Sequence, residues 1–496
     1  MTVRNIDASF RNLPAESCAA AALECAQSLG ATWADIRVSA DVERHFAMRD
    51  SAVENTDSHE SLGLGVRVIV EGSWGFASTT SVTPAAAVEA AQRAVVMAHS
   101  LAPLVTSPVH LADEPAARGS WVGPYDLDPV TVPDADIAEL FGYWTAQLMQ
   151  ARHVNHVTCT FAAAKERTFY ADSAGSATWQ QRVRCHPQVT VLAVTEGGFE
   201  DMTSTLPPQA RGWEYLLDPA WQRQIDELPG HLAERIAAPA AAPGRYDLVI
   251  HPSNLWLTIH ESVGHATEYD RAVGFEANYA GTSFATPDLL GSLQYGSDLM
   301  HITGDRTAAH GLATVAWDHE GVAAQEWDIV RDGVLVGYQL DRWGAASIGL
   351  ERSNGCAYAD DPSHVPLQRM PNVSLAPAES GPDVGELIAG VTDGLFVEGD
   401  KSWSIDMRRR NFQFTAQRFW RIRNGELNGQ VKDIAYQSDT LDFWRSLVAL
   451  GGAQTYVLGG AVNCGKGQPG QVAAVSHGCP AAVFEGVNVL GTGRSS

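Results

Sequence analysis

Eight residues, Ala237 to Gly244, read AAPAAAPG and divide the chain. Proline lacks an amide proton and clashes with a preceding helical turn. Two prolines among small residues therefore suit neither a helix interior nor a central strand. The run reads as a linker. At 496 residues the chain is long enough for two or three domains. The division expected is an N-terminal α/β domain over 1–115, a middle α+β region over 116–236, the linker over 237–244 and a β-rich domain over 245–496.

Before the linker, helix and strand patterns alternate. Pro14 opens a helix through Ala20, Leu23 and Ala26 that stops at Gly30. Ala34, Ile36 and Val38 alternate with polar residues, as in a half-buried strand. Leu64–Val70 and Trp74–Thr79 flank Glu71-Gly72-Ser73, a hairpin pattern. Thr83-Pro84 supplies an N-cap and first helical residue for an Ala-rich helix to about Ser100. Loops fill Pro103 to Pro133, and a helix pattern covers Ala135 to Ala151. Strand runs follow at Val157–Ala164, Thr168–Ala171, Ala177–Arg184 and Val189–Val194. A helix from Pro219 to Ile236, broken at Pro229-Gly230, closes this part.

After the linker the pattern is antiparallel β with two helices. Asp332-Gly333 and Asn424-Gly425 each separate two strand runs and tolerate the positive φ of a tight hairpin. Ser438-Asp439-Thr440 caps a helix expected over Leu441–Leu450. The whole is an α+β chain, its N-terminal α/β region holding antiparallel strands and helices.

Charge narrows the function. Lys+Arg number 34 against 58 Asp+Glu, a net charge of -24. Such a chain repels nucleic acid and anionic membrane, which need clustered cations. Arg408, Arg409 and Arg410 are the one dense basic run; on a strand they would split between two faces and form no stripe. Seven scattered cysteines, an odd number, argue against a disulfide framework and for a reducing, cytoplasmic address. No signal peptide and no apolar run of about 18 residues is seen.

The chemistry concentrates in RYDLVIHPSNLWLTIHESVGHATEYD. Leu248–Ile250 is a short strand, Pro252-Ser253 a turn with Ser253 as cap, and Leu255, Trp256 and Ile259 anchor a helix. His260-Glu261 ends it, with His265 five residues on. Imidazoles bind zinc, and a carboxylate beside a metal can take a proton from its water. Five residues at 100° each place the two rings roughly 140° apart on a regular helix. One ion can take both only if the turn widens to an i→i+5 bulge or the helix ends, which Gly264 would permit. A zinc site needs a third protein ligand. Glu268, His319, Cys464, His477 and Cys479 all remain open on the residues alone.

The chain resembles the TldD/PmbA metallopeptidase family over nearly its whole length. HESVGHATEYD is similar to the family's HEAVGHGLEGD at His260, Glu261, Val263, Gly264, His265, Glu268 and Asp270. Cys464-Gly465-Lys466-Gly467-Gln468 resembles its C-terminal CGK followed by Gln. The stretch GLGVRVIVEGSWGFAST from Gly63, the segment Asp318–Tyr338 and Pro366–Met370 are also similar. Ser353–Tyr358 lacks the family's Arg, and Pro371 stands where Thr is common. The resemblance implies one Zn2+ per chain on His260, His265 and Cys464, with Glu261 as general base, so the β-rich domain would carry a zinc-binding helix. It implies hydrolysis of unfolded or short peptide segments, in peptide maturation or protein turnover. It also implies a homodimer, or a heterodimer with a paralogue lacking the zinc motif. Glu268 is the candidate to orient a ligand histidine; His319, Tyr358 and Arg369 are candidates for the substrate oxyanion. The rival expectations are a catalytically silent peptide-binding partner and a zinc hydrolase of a non-peptide amide.

Overall fold

The computed structural model describes residues 4–467 and 470–493, so Gln468 lies outside the described residues. The fold is α+β. A short helix α1 (Ala8–Arg11) precedes α2 (Ala15–Ser28), β1 (Trp33–Arg49), β2 (Ala52–Val70), β3 (Ser73–Thr79) and α3 (Pro84–Leu101). The β2–β3 turn has two central residues, Glu71 at φ +50° and Gly72 at φ +73°. That mirror-type turn matches the twist of the strands. Thr83 caps α3, its hydroxyl accepting from the Ala86 amide at 3.2 Å. The helix lies so close to β3 that a Cβ on Gly75 would sit 1.9 Å from the Ala94 carbonyl oxygen.

Next come β4 (Arg118–Val122), α4 (Asp134–Leu148), β5 (His156–Asp172), β6 (Ala177–Thr195), β7 (Gly198–Thr203) and α5 (Pro219–Ala237). One sheet runs β3-β2-β1-β5-β6-β4, with β7 also on β6. Here the structure corrects three expectations. β5 does not break at Lys165-Glu166-Arg167, because the charges are matched in place. Lys165 pairs with Asp7 and Asp128, and Glu166 with Arg182 and Arg184. β6 runs through Pro187, where the missing amide costs nothing on the outer edge. There β4 pairs only as far as Gln181 and β7 only from Thr190. Helix α5 continues through Pro229-Gly230, held by a buried face of Ile225, Leu228 and Leu232. Each such side chain contributes about 1.5–3 kcal/mol of burial, enough to offset one lost helical hydrogen bond.

The second half opens with β8 (Gly244–Ile250), α6 (Pro252–Ile259) and α7 (Tyr269–Ala272). It continues with β9 (Ile302–Asp305), β10 (Glu326–Arg331), β11 (Val334–Leu335), α8 (Arg342–Ser347), β12 (Ala357–Tyr358), β13 (Leu367–Gln368) and β14 (Asn372–Leu375). Then follow α9 (Val384–Ala389), β15 (Asp393–Ile405), β16 (Asn411–Arg423), β17 (Glu426–Val431), β18 (Ile434–Asp439), α10 (Thr440–Arg445), β19 (Leu447–Leu450), β20 (Val457–Gly467), β21 (Gly470–Cys479) and β22 (Ala482–Gly491). Asp332-Gly333 and Asn424-Gly425 form two-residue hairpin turns with positive φ throughout.

Strands β15, β8, β22, β18 and β16 pair in that order, and β16 pairs back to β15, so the pairings close into a ring. All its pairs are antiparallel except β8 with β15, so this part is mostly antiparallel, as expected. More than two short helices decorate it. The helix expected over Leu441–Leu450 ends at Arg445, and Leu447–Leu450 turns back as β19 onto β22. Arg408–Arg410 lie in the β15–β16 turn rather than on a strand, with Arg409 at φ +61°.

The Glu166 cluster is testable. Burial opposes its charge, but Arg182 and Arg184 outweigh burial and hold the carboxyl well below its usual range. An acid depressed in the fold stabilises it above the ordinary pKa of 4.5 and loses that contribution as pH falls further. Glu166→Gln strands two arginines and is expected to cost about 3 kcal/mol in urea unfolding at pH 7. The gap to wild type should narrow below pH 4.5. An unchanged unfolding curve at pH 7 would rule out a stabilising role for the pair.

Candidate metal centre

Strand β8 lies between β15 and β22 and delivers the chain to α6 in the core of the second half. The cap of α6 is His251, not Ser253. His251 Nδ1 accepts from the Ser253 amide at 3.2 Å, while the Ser253 hydroxyl accepts from the Gly399 amide. Asn254 donates to the carbonyls of Gly399 and Thr415 and accepts from the Tyr436 hydroxyl. Leu255, Leu257 and Ile259 are buried. These contacts lock α6 before the histidines are reached.

At His260 the helix widens. The His265 amide donates to the His260 carbonyl, five residues back, and residues 260–264 form a π turn. A tight 3-10 turn, His265–Thr267, follows and ends the helix. Widening frees backbone carbonyls, which must find donors in a buried segment. The Tyr295 hydroxyl takes the Ser262 carbonyl, and the Gln339 amide takes that of Gly264. Gly264 itself keeps a right-handed φ of -51°. Its missing side chain gives Met370 room: a Cβ would lie 2.7 Å from Met370 Sδ and push that side chain aside.

The two imidazoles end 4.6 Å apart, centroid to centroid. Cys464 Sγ lies 3.7 Å from His265 Nε2. His260, His265 and Cys464 each offer a ligand atom within 4.8 Å of the others, and all three are buried. Cys464 comes from β20, beside an irregularity in its pairing with β21. Of the five third-ligand candidates, only Cys464 joins the histidine pair. Cys479 donates weakly to the Pro252 carbonyl, and burial pushes its thiol up.

Hydrogen bonds assign the tautomers. His477 Nδ1 is 2.9 Å from the Val373 carbonyl and must donate to it. Its Nε2 is then an acceptor, 2.7 Å from His260 Nδ1, which must donate. His260 Nε2 is left with a free lone pair. His265 Nδ1 donates to Glu268 Oε2 at 2.9 Å, leaving its Nε2 to face Cys464 Sγ at 3.7 Å. Glu268 is held by Arg271 and by Lys466, which also reaches Asp270 and Gln368. Glu268 therefore accepts from a histidine of the cluster, and the CGK lysine holds that carboxylate. Burial would raise Glu268, but Lys466, Arg271 and His265 bring it well below the carboxylate range. Burial lowers His260, disfavouring the charged ring. Burial pushes the Cys464 thiol up, yet His265 and Arg369 carry it below its ordinary value.

Glu261 is buried beside the cluster, with Arg409 Nη1 2.6 Å from its Oε2. Burial raises this carboxyl, but His265, His260 and Arg409 outweigh it and leave it below the usual range. Arg409 was not evident in the sequence, because its role depends on a turn rather than a strand face. The three oxyanion candidates bond elsewhere. The Tyr358 hydroxyl donates to Glu166 at 2.7 Å. His319 Nδ1 accepts from the Ala359 amide beside Arg37. Arg369 binds the backbone carbonyls of Cys464 and Gln471, behind the thiol.

The model of the PmbA/TldA metallopeptidase C-terminal domain matches residues 243–491, half of the chain, and that of domain 1 matches residues 34–98. The chain belongs to the PmbA/TldD family. A metalloprotease of Methanothermobacter thermautotrophicus is 28% identical over 469 residues, 93% of this chain and 96% of that protein. A zinc metalloprotease TldD homolog of Saccharolobus solfataricus is 24% identical over 221 residues, 44% of this chain and 45% of that protein. The fold is similar to the crystal structure of TldE from Thermococcus kodakarensis, with a TM-score of 0.70 at 14% identity, covering 95% of this chain and 99% of that one. This PmbA/TldD chain thus comes from a metallopeptidase family, and its donors suit a metal. Two imidazoles, each with its Nδ1 held by a hydrogen bond, and a thiol drawn toward thiolate are a borderline-soft set, the kind zinc prefers.

If His477 orients His260, His477→Phe should keep the fold and the stacking on Trp256 but lower zinc affinity about 10–100-fold in chelator competition. Unchanged affinity would show that His260 needs no such partner.

Proposed function

We propose that this chain is a zinc-dependent peptidase, one ion per chain, acting on unfolded or short peptide segments in peptide maturation or protein turnover. The observation that carries the reading is the His260/His265/Cys464 cluster with Glu261 beside it. The zinc metalloprotease name of the Saccharolobus relative supports the choice of metal. The intact cluster also favours a working subunit over a silent binding partner.

His260, His265 and Cys464 would hold the ion, leaving one position of a tetrahedron for water or substrate. The ion would supply Lewis-acid polarisation of the scissile carbonyl and a more acidic water. Glu261 takes the proton of the attacking water and delivers it to the departing amine nitrogen. Glu268 and His477 keep the ligand imidazoles in their metal-facing tautomers. Burial of the cluster limits competing solvent and strengthens each charge interaction.

For substrate, strand addition suits a peptidase of broad sequence tolerance, since main-chain hydrogen bonds supply the affinity. A cleft lined by Trp256, Trp403 and Gly459–Asn463 of β20 ends one residue before Cys464. Among the described residues β20 pairs only with β21, which leaves its other edge for a peptide. We place the protein in the cytoplasm, supported by seven unpaired cysteines, as a dimer with itself or a paralogue lacking the zinc motif. Its charge of -24 speaks against nucleic acid and membrane as partners. The same chemistry on a non-peptide amide would leave a peptide library intact.

Two variants test the reading. Cys464→Ala should lose the zinc that purified wild type carries, by metal analysis. Glu261→Gln should keep zinc and lose about 10²–10⁴-fold in peptide turnover. Full activity in Glu261→Gln would sink the general-base assignment.

A further inference from the structure

The geometry points to Arg409 as a catalytic residue that binds the oxyanion of the tetrahedral intermediate. This rests on the peptidase reading above and supplies the group that Tyr358, His319 and Arg369 do not.

Arg409 sits at φ +61°, a region non-glycine residues enter only when the surroundings compel it. The compulsion is visible. Asp406 accepts from the amides of Arg408, Arg410 and Asn411. Its carbonyl accepts from the Arg409 amide. Across the turn, the Thr282 and Phe284 amides donate to the carbonyls of Met407 and Arg408. The Thr440 hydroxyl donates to the Arg409 carbonyl at 2.8 Å. The turn is thereby tied to two other segments of the chain, and the residue it distorts is the one whose side chain reaches Glu261.

The guanidinium is only partly used. Nη1 donates to Glu261 Oε2 at 2.6 Å, and Nη2 donates to the Ala280 carbonyl at 3.3 Å. Nε is buried and has no partner among the described residues. With its side chain 12% exposed, Arg409 has donors that the described residues leave unfilled, beside the group that activates water. An anion formed there would fill them.

The reaction forms such an anion. The oxygen of water bonds to the carbonyl carbon, and its proton passes to Glu261. The carbonyl π pair moves onto oxygen, which becomes negative. The pair returns as the C–N bond breaks and the amine nitrogen receives the proton from Glu261. As Glu261 is protonated it loses the charge that holds Arg409, at the moment the carbonyl oxygen acquires one. Arg409 then exchanges one anionic partner for another. Its charge is held beside Glu261 before the alkoxide develops, and donors fixed in advance act most strongly on such charge.

The test compares zinc-loaded wild type, Arg409→Ala and Arg409→Lys on a peptide that wild type cleaves. Arg409→Ala is expected to retain one zinc per chain and to lose roughly 10²–10³-fold in kcat with KM within about threefold. Arg409→Lys should fall between. Guanidinium at tens of millimolar should restore at least about tenfold of the Arg409→Ala rate, which a packing role would not allow. By calorimetry, a phosphinic peptide that mimics the tetrahedral oxyanion should bind Arg409→Ala about 100-fold more weakly. An uncleavable ground-state peptide should bind both proteins alike. A loss confined to KM, no guanidinium rescue, or equal phosphinate binding overturns the assignment while leaving the peptidase reading intact. A zinc-loaded wild type that cleaves no peptide and binds no phosphinate overturns both.

Discussion

The hydrogen bond from the His265 amide to the His260 carbonyl sets the geometry of everything around it. A regular helix would send two side chains five residues apart to different sides. One widened turn gathers both imidazoles against β20 and leaves Glu261 beside them. The deformation releases carbonyls in a dry region, so it persists only because Tyr295 and Gln339 stand where the donors are needed. Met370 packs onto Gly264, its side-chain end filling the space that a Cβ would take. The wide turn is thus a property of its neighbourhood as much as of residues 260–265.

Around that turn, charge is handled by pairing rather than exclusion. Glu268, Asp270, Lys466 and Arg271 form a buried group in which each carboxylate meets a cation. Removing any member would leave an uncompensated charge in low dielectric, a costly state. The other histidine of the cluster is oriented without charge, through a second histidine anchored on the Val373 carbonyl. One imidazole is therefore braced by an anion and the other by a second ring. The anionic support raises the electron density of His265 relative to His260.

Local signals in the sequence carried far where the physics is local. The Asp-Gly and Asn-Gly turns, the Thr83 cap and the conflict between a five-residue spacing and a regular helix all appear in the structure as their chemistry requires. Readings failed where tertiary pairing overrides local preference. Lys165-Glu166-Arg167 looked like a strand break until partners came from Asp7, Asp128, Arg182 and Arg184. Pro229 looked like a helix stop until a buried face held both sides. His477 stood among the candidate ligands, but only the fold shows it bonded to His260 instead of joining the cluster. Arg409 belongs to a run that looked like a strand with two faces. Its contact with Glu261 spans 148 positions and left no local trace.

The ring of strands has a consequence for how the site comes into being. β8, which launches α6, is flanked by β15 and by β22, and the thiol beside His265 is 199 positions away. During synthesis the histidines leave the ribosome long before either flanking strand or the thiol exists. A metal ion meeting that nascent segment finds two imidazoles at most, on a stretch not yet anchored. The complete donor set arises only after the β20–β21 hairpin has been made and the ring has closed. A metal held by this cluster would then be loaded late in the life of the molecule, and would lock shut a loop of about 200 residues.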